Sequence, residues 1–343
     1  MKQDFLHRYA GKILLLTGLF MVVFFGSFML GRYPVTPVEL LKILCNKIAP
    51  VFPVSWEAAA ETVVWQIRLP RVAAAALIGA ALSLSGVCYQ GMFANPMVSP
   101  DLLGASSGAG FGASLGILLG LHYMGISVLA FCFGLAAVAL AYGIGKCSRA
   151  NRLMTILLAG MVVSALFSSG ISFLKLVADT QQTLPAITYW LMGSLSSIRK
   201  TDVYFLLVPL ALGAVPLFAL RWQLNLLTIP EEEARSMGVN TRLMHFVVIS
   251  CATLLTAASV AVSGMIGWVG LVIPHFCRML LGCDYRRLLP ASALMGASFL
   301  IIVDDVARIA ATAEIPLGIL TSFIGAPVFL FMILTRRGYD TDA

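Results

Sequence analysis

Of the 343 residues, 59% are hydrophobic and 11% charged, against roughly 25% charged in a soluble domain. A soluble core cannot absorb that much apolar surface whereas a bilayer can, which excludes a soluble enzyme, a secreted disulfide scaffold and a disordered chain. The net charge of +7 comes from Lys and Arg scattered between apolar runs, so it reports membrane orientation and not nucleic-acid binding.

Lys2, Arg8 and Lys12 precede an uncharged run that is too long for a signal-peptide core and lacks an Ala-x-Ala ending. It is read as a retained first span, 13–30. A polar stretch with Pro34, Pro37, Pro50 and Pro53 follows. Span two covers 66–93, opening with Arg68-Leu-Pro-Arg71 and ending before Asn95-Pro96. Span three, 102–120, carries Gly104, Gly108, Gly112, Gly116 and Gly120 at intervals of four, a stripe that lets a neighbouring helix approach closely. Span four is 123–145 and span five 153–174. The segment 184–194 is too short to cross and reads as a re-entrant or surface helix. Spans six to ten are 203–220, 243–263, 266–282, 288–309 and 316–335. The whole chain, 1–343, is thus one transmembrane domain with a loop at 222–242.

With ten spans and the N-terminus inside, both termini are cytoplasmic. Most of the 23 Lys and Arg then fall inside, among them Lys146, Arg149, Arg152, Arg336 and Arg337, as the positive-inside rule requires. Arg68, Arg71 and Arg308 fall at outer span ends and run against that trend.

Little in the spans could do chemistry. Asp304 and Asp305 near the end of span nine are the exceptions to an acid-free interior. An ion-coupled carrier would want ionisable groups near the midplane, and a channel filter a ring of charges or carbonyls. Seven cysteines form no CxxC and no Cys/His cluster, so neither metal binding nor a disulfide framework is expected. Gly145-Lys146-Cys147 is no P-loop, because the upstream glycine and the Ser/Thr are missing. No catalytic residue, cofactor or metal site is assigned to this chain. If it pumps, the energy comes from a partner.

Thr228-Ile-Pro-Glu-Glu-Glu-Ala-Arg-Ser-Met-Gly238 reads as a short helix after span six. Pro230 suits its first turn, Glu231, Glu232 and Glu233 its positive end, and Gly238 its stop; Glu231 and Arg235 are spaced for an ion pair. By spacing alone this is a solvated loop helix.

A series of motifs then resembles one family in order. Arg68-Leu-Pro-Arg71, Phe93-Ala-Asn-Pro-Met-Val-Ser-Pro100 and the glycine-rich third span are similar to permeases of iron-siderophore, haem and vitamin B12 ABC importers. So are Glu233-Ala-Arg-Ser-Met-Gly-Val239, Gly264-Met-Ile-Gly-Trp-Val-Gly-Leu-Val-Ile-Pro-His275, Arg286-Arg-Leu-Leu-Pro290, Glu314-Ile-Pro-Leu-Gly318 and Ile324-Gly-Ala-Pro-Val328. The resemblance implies an all-α, ten-helix subunit of the inner membrane that dimerises with the transport path at the subunit interface. It implies two ATPase subunits, holding ATP and magnesium, docked inside, and a periplasmic or lipoprotein substrate-binding protein docked outside.

Carried over residue by residue, Asn95 and Met97 match the inner gate, and Glu231, Glu232, Glu233, Arg235, Met237 and Gly238 match the ATPase-coupling segment. Arg68, Arg71 and Arg308 match positions facing the binding protein. Ser164, Ser168 and Ser169 lie on a path-lining helix. From the residues alone, Asn95-Pro96 is a helix-ending turn, the arginines snorkel, and the serines pack helices. The family pattern has one Asp where this chain has Asp304 and Asp305, and the added charge weakens the expected positive field at Arg308. The cargo expected is a ferric siderophore, with haem or vitamin B12 as alternatives. A carrier working alone would need a midplane acidic pair.

Overall fold

A computed structural model describes residues 2–31, 33–49, 52–147 and 152–335. Pro50, Arg149, Arg336 and Arg337 lie outside the described residues. The described residues form fifteen α-helices and no strand. The first is α1 (Lys2–Ser27), followed by α2 (Pro37–Ile48) and α3 (Ala58–Thr62). A π-helical turn, Val63–Arg68, joins α3 to α4 (Leu69–Met92), and the three pieces make one 35-residue helix. A 3-10 turn at Pro100–Leu103 leads into α5 (Ala105–Leu118), α6 (Tyr123–Cys147) and α7 (Arg152–Val177). Then come α8 (Thr183–Met192), α9 (Lys200–Ala219), α10 (Gln223–Leu226) and α11 (Glu231–Ser236). The last four are α12 (Thr241–Ser263), α13 (Val269–Leu281), α14 (Tyr285–Ile309) and α15 (Leu317–Thr335).

Seven helices among the described residues are long and apolar enough to cross a bilayer. Of the other three expected spans, α13 and α15 are shorter apolar helices, and α5 has 14 residues. With 13 residues, α13 reaches only about 20 Å along its axis. Its predicted start at residue 266 moves to 269 because residues 264–267 are not helical. Non-helical backbone is tolerated in a membrane protein where protein covers it. Here Ser194 N–H donates to Ser263 O at 2.8 Å, and Gly264 N–H to Val260 O at 2.9 Å.

The sequence reading missed α2. Its signal was present, since Thr36 Oγ1 accepts from Glu39 N–H at 3.3 Å and the Glu39 carboxylate accepts from Thr36 N–H at 3.0 Å. That reciprocal pair, with Pro37 in the first turn, starts the helix. Its Leu40 and Ile43 are buried.

Small residues set the core. α4 and α12 are enclosed by the other helices, with α14, α13 and α9 packed on α4, and α9, α6 and α5 on α12. A Cβ on Gly79 would strike the Gly296 carbonyl of α14, and one on Gly86 the Gly270 carbonyl of α13. On α5, a Cβ on Gly108 or Gly112 would lie 2.5 Å from the carbonyl oxygens of Phe133 and Leu129 on α6. The expected five-glycine stripe is therefore three contact glycines, Gly116 being the third, bounded by two ends. Gly104 (φ +90°) opens α5, and Gly120 (φ +66°) follows its end with nothing within 4 Å. Hydroxyls inside the bundle bond backward along their own helix, as Thr253, Thr256, Ser259 and Ser263 do on α12. These four donors are thereby satisfied within the helix.

Gly112→Leu should therefore drive α5 off α6 and lower stability by about 3 kcal/mol or more. Gly143→Leu, on an open face of α6, should leave stability near wild type. Thermal unfolding in detergent compares the two; equal melting temperatures would show that α5 and α6 do not meet at Gly112.

Candidate functional site

The features singled out in sequence fall into four places. The end of the bundle at which α1 stops is termed the clasp end; the opposite end carries α11.

At the clasp end, packing of α1, α4 and α14 brings the three arginines together. Arg71, in the first turn of α4, donates from Nε to both Asp304 oxygens at 3.0 Å and from Nη2 to Oδ1 at 2.9 Å. The same guanidinium reaches Glu314 through Nη1 at 3.0 Å and Nη2 at 2.9 Å. Arg308 donates to Ser27 Oγ at 2.9 Å and Leu30 O at 3.3 Å, pairs with Asp305, and has Nε 3.4 Å from Asp304. Ser27 Oγ in turn donates to Asp305 Oδ1 at 2.6 Å. Arg68 donates to the carbonyls of Phe28 and Tyr33. Arg68 and Arg308 thereby serve carbonyls of the segment that follows α1, beside the end at which the helix dipole favours cations.

These side chains are not the free basic face expected from sequence. Arg68, Arg71 and Arg308 are 3%, 6% and 7% exposed. Arg68 is satisfied by backbone carbonyls; for Arg71 and Arg308 the physical reason is charge balance, since a buried guanidinium needs a carboxylate partner. Asp304, Asp305 and Glu314 supply three. Asp305, expected to weaken a positive field, instead neutralises Arg308. The roles of Ser27 and Glu314 were missed. Their signal was the near-equal number of arginines and acids at span ends that sequence separates by more than 200 residues.

At the opposite end, α11 forms where the loop helix was predicted. Glu231 Oε1 accepts from Arg235 Nη2 at 2.6 Å and from Thr241 Oγ1 at 2.9 Å, and Arg235 Nε reaches Thr241 Oγ1 at 3.3 Å. This triangle ties α11 to the first turn of α12, and buried Ala234 seats it. The Thr241 hydroxyl, with Arg235, holds the Glu231 carboxyl below its ordinary range. Gly238 (φ +83°) ends the helix, with its N–H on Arg235 O at 2.9 Å and Val239 N–H on Ala234 O at 3.2 Å. Glu232, Glu233 and Met237 face outward, Met237 being 64% exposed. A cavity of about 470 Å³ lies between Arg235, Gly238, Asn240 and Arg242. Asn225 of α10 braces this end, accepting from Tyr285 N–H at 2.9 Å and donating to Asp284 at 3.1 Å.

Asn95 and Met97 sit on the exposed turn after α4. Asn95 Oδ1 accepts from Met97 N–H at 2.9 Å, which holds the turn shut. Ala94 just before it has φ +47°, a left-handed conformation uncommon outside glycine. The α7 serines do not converge on one surface. Ser168 and Ser169 are exposed, whereas Ser164 Oγ is buried against Gly104 without a hydrogen-bond partner.

A cavity of about 560 Å³ lies where α8 ends, α12 ends and α15 begins. Leu317 N–H donates to Gly193 O at 2.8 Å, and the left-handed Gly193 and Gly264 let these chain breaks touch. Leu191, Met192, Met265, Gly267, Gly318, Ile319, Ser322 and Phe323 line it. None is ionisable. Sequence periodicity did not indicate this site, because its backbone comes from breaks between helices. Among the described residues no group of three or more His, Cys, Asp or Glu could hold a metal ion.

Comparison with known proteins gives a consistent picture. Residues 19–335 match the FecCD transport family. The molybdate import system permease MolB of Haemophilus influenzae is 40% identical, over 95% of this chain and 96% of its own. The cobalamin import system permease BtuC of Halobacterium salinarum is 40% identical, over 81% of this chain and 75% of its own. An ABC transporter assigned to the metal-chelate type, solved in an inward-facing conformation, superposes with a TM-score of 0.86. It is 37% identical and covers 95% of this chain and 99% of its own.

Two outcomes follow from the geometry. Arg71→Met should leave Asp304 short of its partner and cost about 3–5 kcal/mol. Arg71→Lys, which cannot fork between two carboxylates, should fall between. Unfolding in detergent measures both, and wild-type stability of Arg71→Met would remove the clasp as a stabilising element. For Glu231 the folded pKa is lowered, so its contribution is present above the ordinary value of 4.5 and is lost as pH falls below it. A spin label on Met237→Cys should grow mobile below that pH. With Glu231→Gln it should be mobile throughout, and an unchanged pH response would sink the assignment.

Proposed function

The chain belongs to the FecCD transport family, and from that premise we propose that it carries a ferric siderophore or closely similar metal chelate. It is the permease subunit of an ABC importer, an integral membrane protein and not a catalyst of ATP hydrolysis. The observation that carries the cargo reading is the lining of the 560 Å³ cavity. Its two methionines, its phenylalanine and its aliphatic side chains adapt to a bulky, partly apolar cargo. One hydroxyl, Ser322, is the polar side chain there. A free oxyanion such as molybdate is favoured by the likeness to MolB. It would want convergent N–H donors or a cation, and the lining side chains supply neither.

Two copies would enclose the path, with both termini at the cytoplasmic face of the inner membrane. The exposed apolar residues Val162, Leu166 and Phe173 on α7 and Phe323 on α15 suit a second subunit. The Asn95–Met97 turn is the inner gate in this reading. Two ATPase subunits, with ATP and magnesium, dock on α11 through Glu232, Glu233, Met237 and Gly238. A substrate-binding protein docks at the clasp end. Its carboxylate would reach Arg71 by displacing Glu314, whose side chain is 29% exposed. Arg68 and Arg308 would act there by holding the shape of the surface.

The test is reconstitution of the permease with its ATPase and binding protein in liposomes. Uptake of labelled ferric siderophore should require ATP and exceed that of molybdate. Uptake driven by a proton gradient alone would refute the importer mechanism, and ATP-driven molybdate uptake without chelate uptake would refute the cargo. Gly238→Pro removes an N–H that closes α11 and forbids its positive φ. It should leave the chain folded but lower ATPase co-purification, whereas normal yield and transport would place coupling elsewhere.

A further inference from the structure

α15 supplies Ile319, Ser322 and Phe323 to the 560 Å³ cavity, yet little in its own chain fixes it there. It packs against α8, α13 and α14, and Pro327 has no N–H for the carbonyl of Phe323 one turn back. Two glycines seat it. A Cβ on Gly318 would lie 2.5 Å from Met192 O and 3.0 Å from Met265 O, and one on Gly325 would lie 2.6 Å from both Cβ and Cγ of Trp268. Seven residues make two helical turns, so both glycines share one face of α15, about 10 Å apart. The three cavity residues fall between them in sequence.

The Gly325 seat depends on an unusual backbone. Trp268, which precedes α13, has φ +70° and ψ −31°. Val269 N–H donates across it to Gly267 O at 2.9 Å, the bond of a γ-turn of the rarer, strained hand. A bulky residue seldom adopts a positive φ, whereas glycine does so freely. The Trp268 indole has a use for this position, since it packs on Gly325 and meets the Phe329 ring at 6.1 Å between centroids. Leu271 and Val272 N–H donate to Trp268 O at 3.0 and 2.9 Å, which anchors the turn to α13. Gly267, just before it, lines the cavity, and a Cβ there would meet nothing within 4 Å.

We infer that Trp268 is a positioning residue, which holds the α15 wall at a fixed distance and thereby sets which sizes of metal chelate the cavity passes. The inference rests on the reading of that cavity as the cargo path. Trp268 acts through Ile319, Ser322 and Phe323, the α15 residues that meet the cargo. With its backbone tied to α13 and its ring seated on α15, the indole is the spacer between the chain break and the helix. Without the ring, α15 keeps the Gly318 seat and loses the Gly325 one. The helix then swings about Gly318, and the cavity loses its size limit.

A spin label on Leu330→Cys, an exposed position of α15, tests the seat without cargo, in a chain whose exposed Cys45, Cys132, Cys147 and Cys283 are changed to serine. Trp268→Gly keeps the turn and removes the ring, so the label should grow mobile. Trp268→Phe, which keeps a ring on Gly325, should hold the label as the wild type does. Gly325→Ala, whose methyl displaces the indole from the other side, should mobilise the label too, and it replaces Trp268→Gly if that variant folds poorly. Uptake of a compact and a bulky ferric chelate is then compared in the reconstituted complex, with one binding protein throughout. Trp268→Gly should change the ratio of the two uptake rates by about tenfold, and Trp268→Phe should leave it near wild type. A label that stays immobile in the variants, or a mobile label with an unchanged ratio, would overturn the inference alone. A wild-type complex that takes up neither chelate would overturn the cargo reading, and the inference with it.

Discussion

Helices in a bilayer gain nothing by hiding apolar side chains from water that is not there, so they hold together by how closely their backbones approach. In this chain that approach occurs at glycine. Gly79 faces Gly296, Gly86 faces Gly270, and Gly108 and Gly112 face α6. These contacts put α4 and α12 at the centre, and the candidate sites hang from those two helices. α4 begins at the arginine clasp and ends at the Asn95 turn. α12 begins at the Glu231–Arg235–Thr241 triangle and ends at the chain breaks around the candidate cavity. The two ends of the molecule are thus joined by rigid, closely packed rods.

The clasp adds an electrostatic condition to this packing. Three guanidinium groups and three carboxylates lie in or beside the apolar zone, and Ser27 and carbonyls of the segment that follows α1 complete their hydrogen bonding. Such a cluster contributes less by attraction than by the cost of leaving any member alone. It fixes which helix ends belong together. It also leaves Arg71 divided between a deeply buried acid, Asp304, and one on the loop that leads into α15, Glu314.

Most of the architecture was readable from residues. Apolar runs gave the long helices of the bundle, and the Pro230, Glu231–Glu233 and Gly238 pattern gave α11 with its ends. Three things were not readable. α2 was masked by its prolines and charges, although the Thr36–Glu39 pair marked its start. Arg308 has acids three and four residues before it, Asp305 and Asp304, which local spacing could show, but the carboxylates on Arg71 lie more than 200 residues away and Arg68 bonds to backbone carbonyls, and local spacing carries no such information. The candidate cavity is built from non-helical backbone near Gly193, Gly264 and Gly318, where helical periodicity has nothing to report.

The π turn at Val63–Arg68 has a consequence for how this end of the molecule can vary. Leu69 N–H reaches back five residues, to Val64 O, so the turn holds one residue more than an α-helix would. That widening also relieves the clash that Pro70 would otherwise make with the preceding turn. Each residue rotates a helix by about 100°, so the extra residue sets the azimuth of α3 independently of α4. Arg68 can therefore face the end of α1 while Arg71, three positions on, faces α14. The turn works as a coupling between two shafts. Segments 33–62 can change length or orientation among related chains without twisting the glycine contacts that α4 makes below.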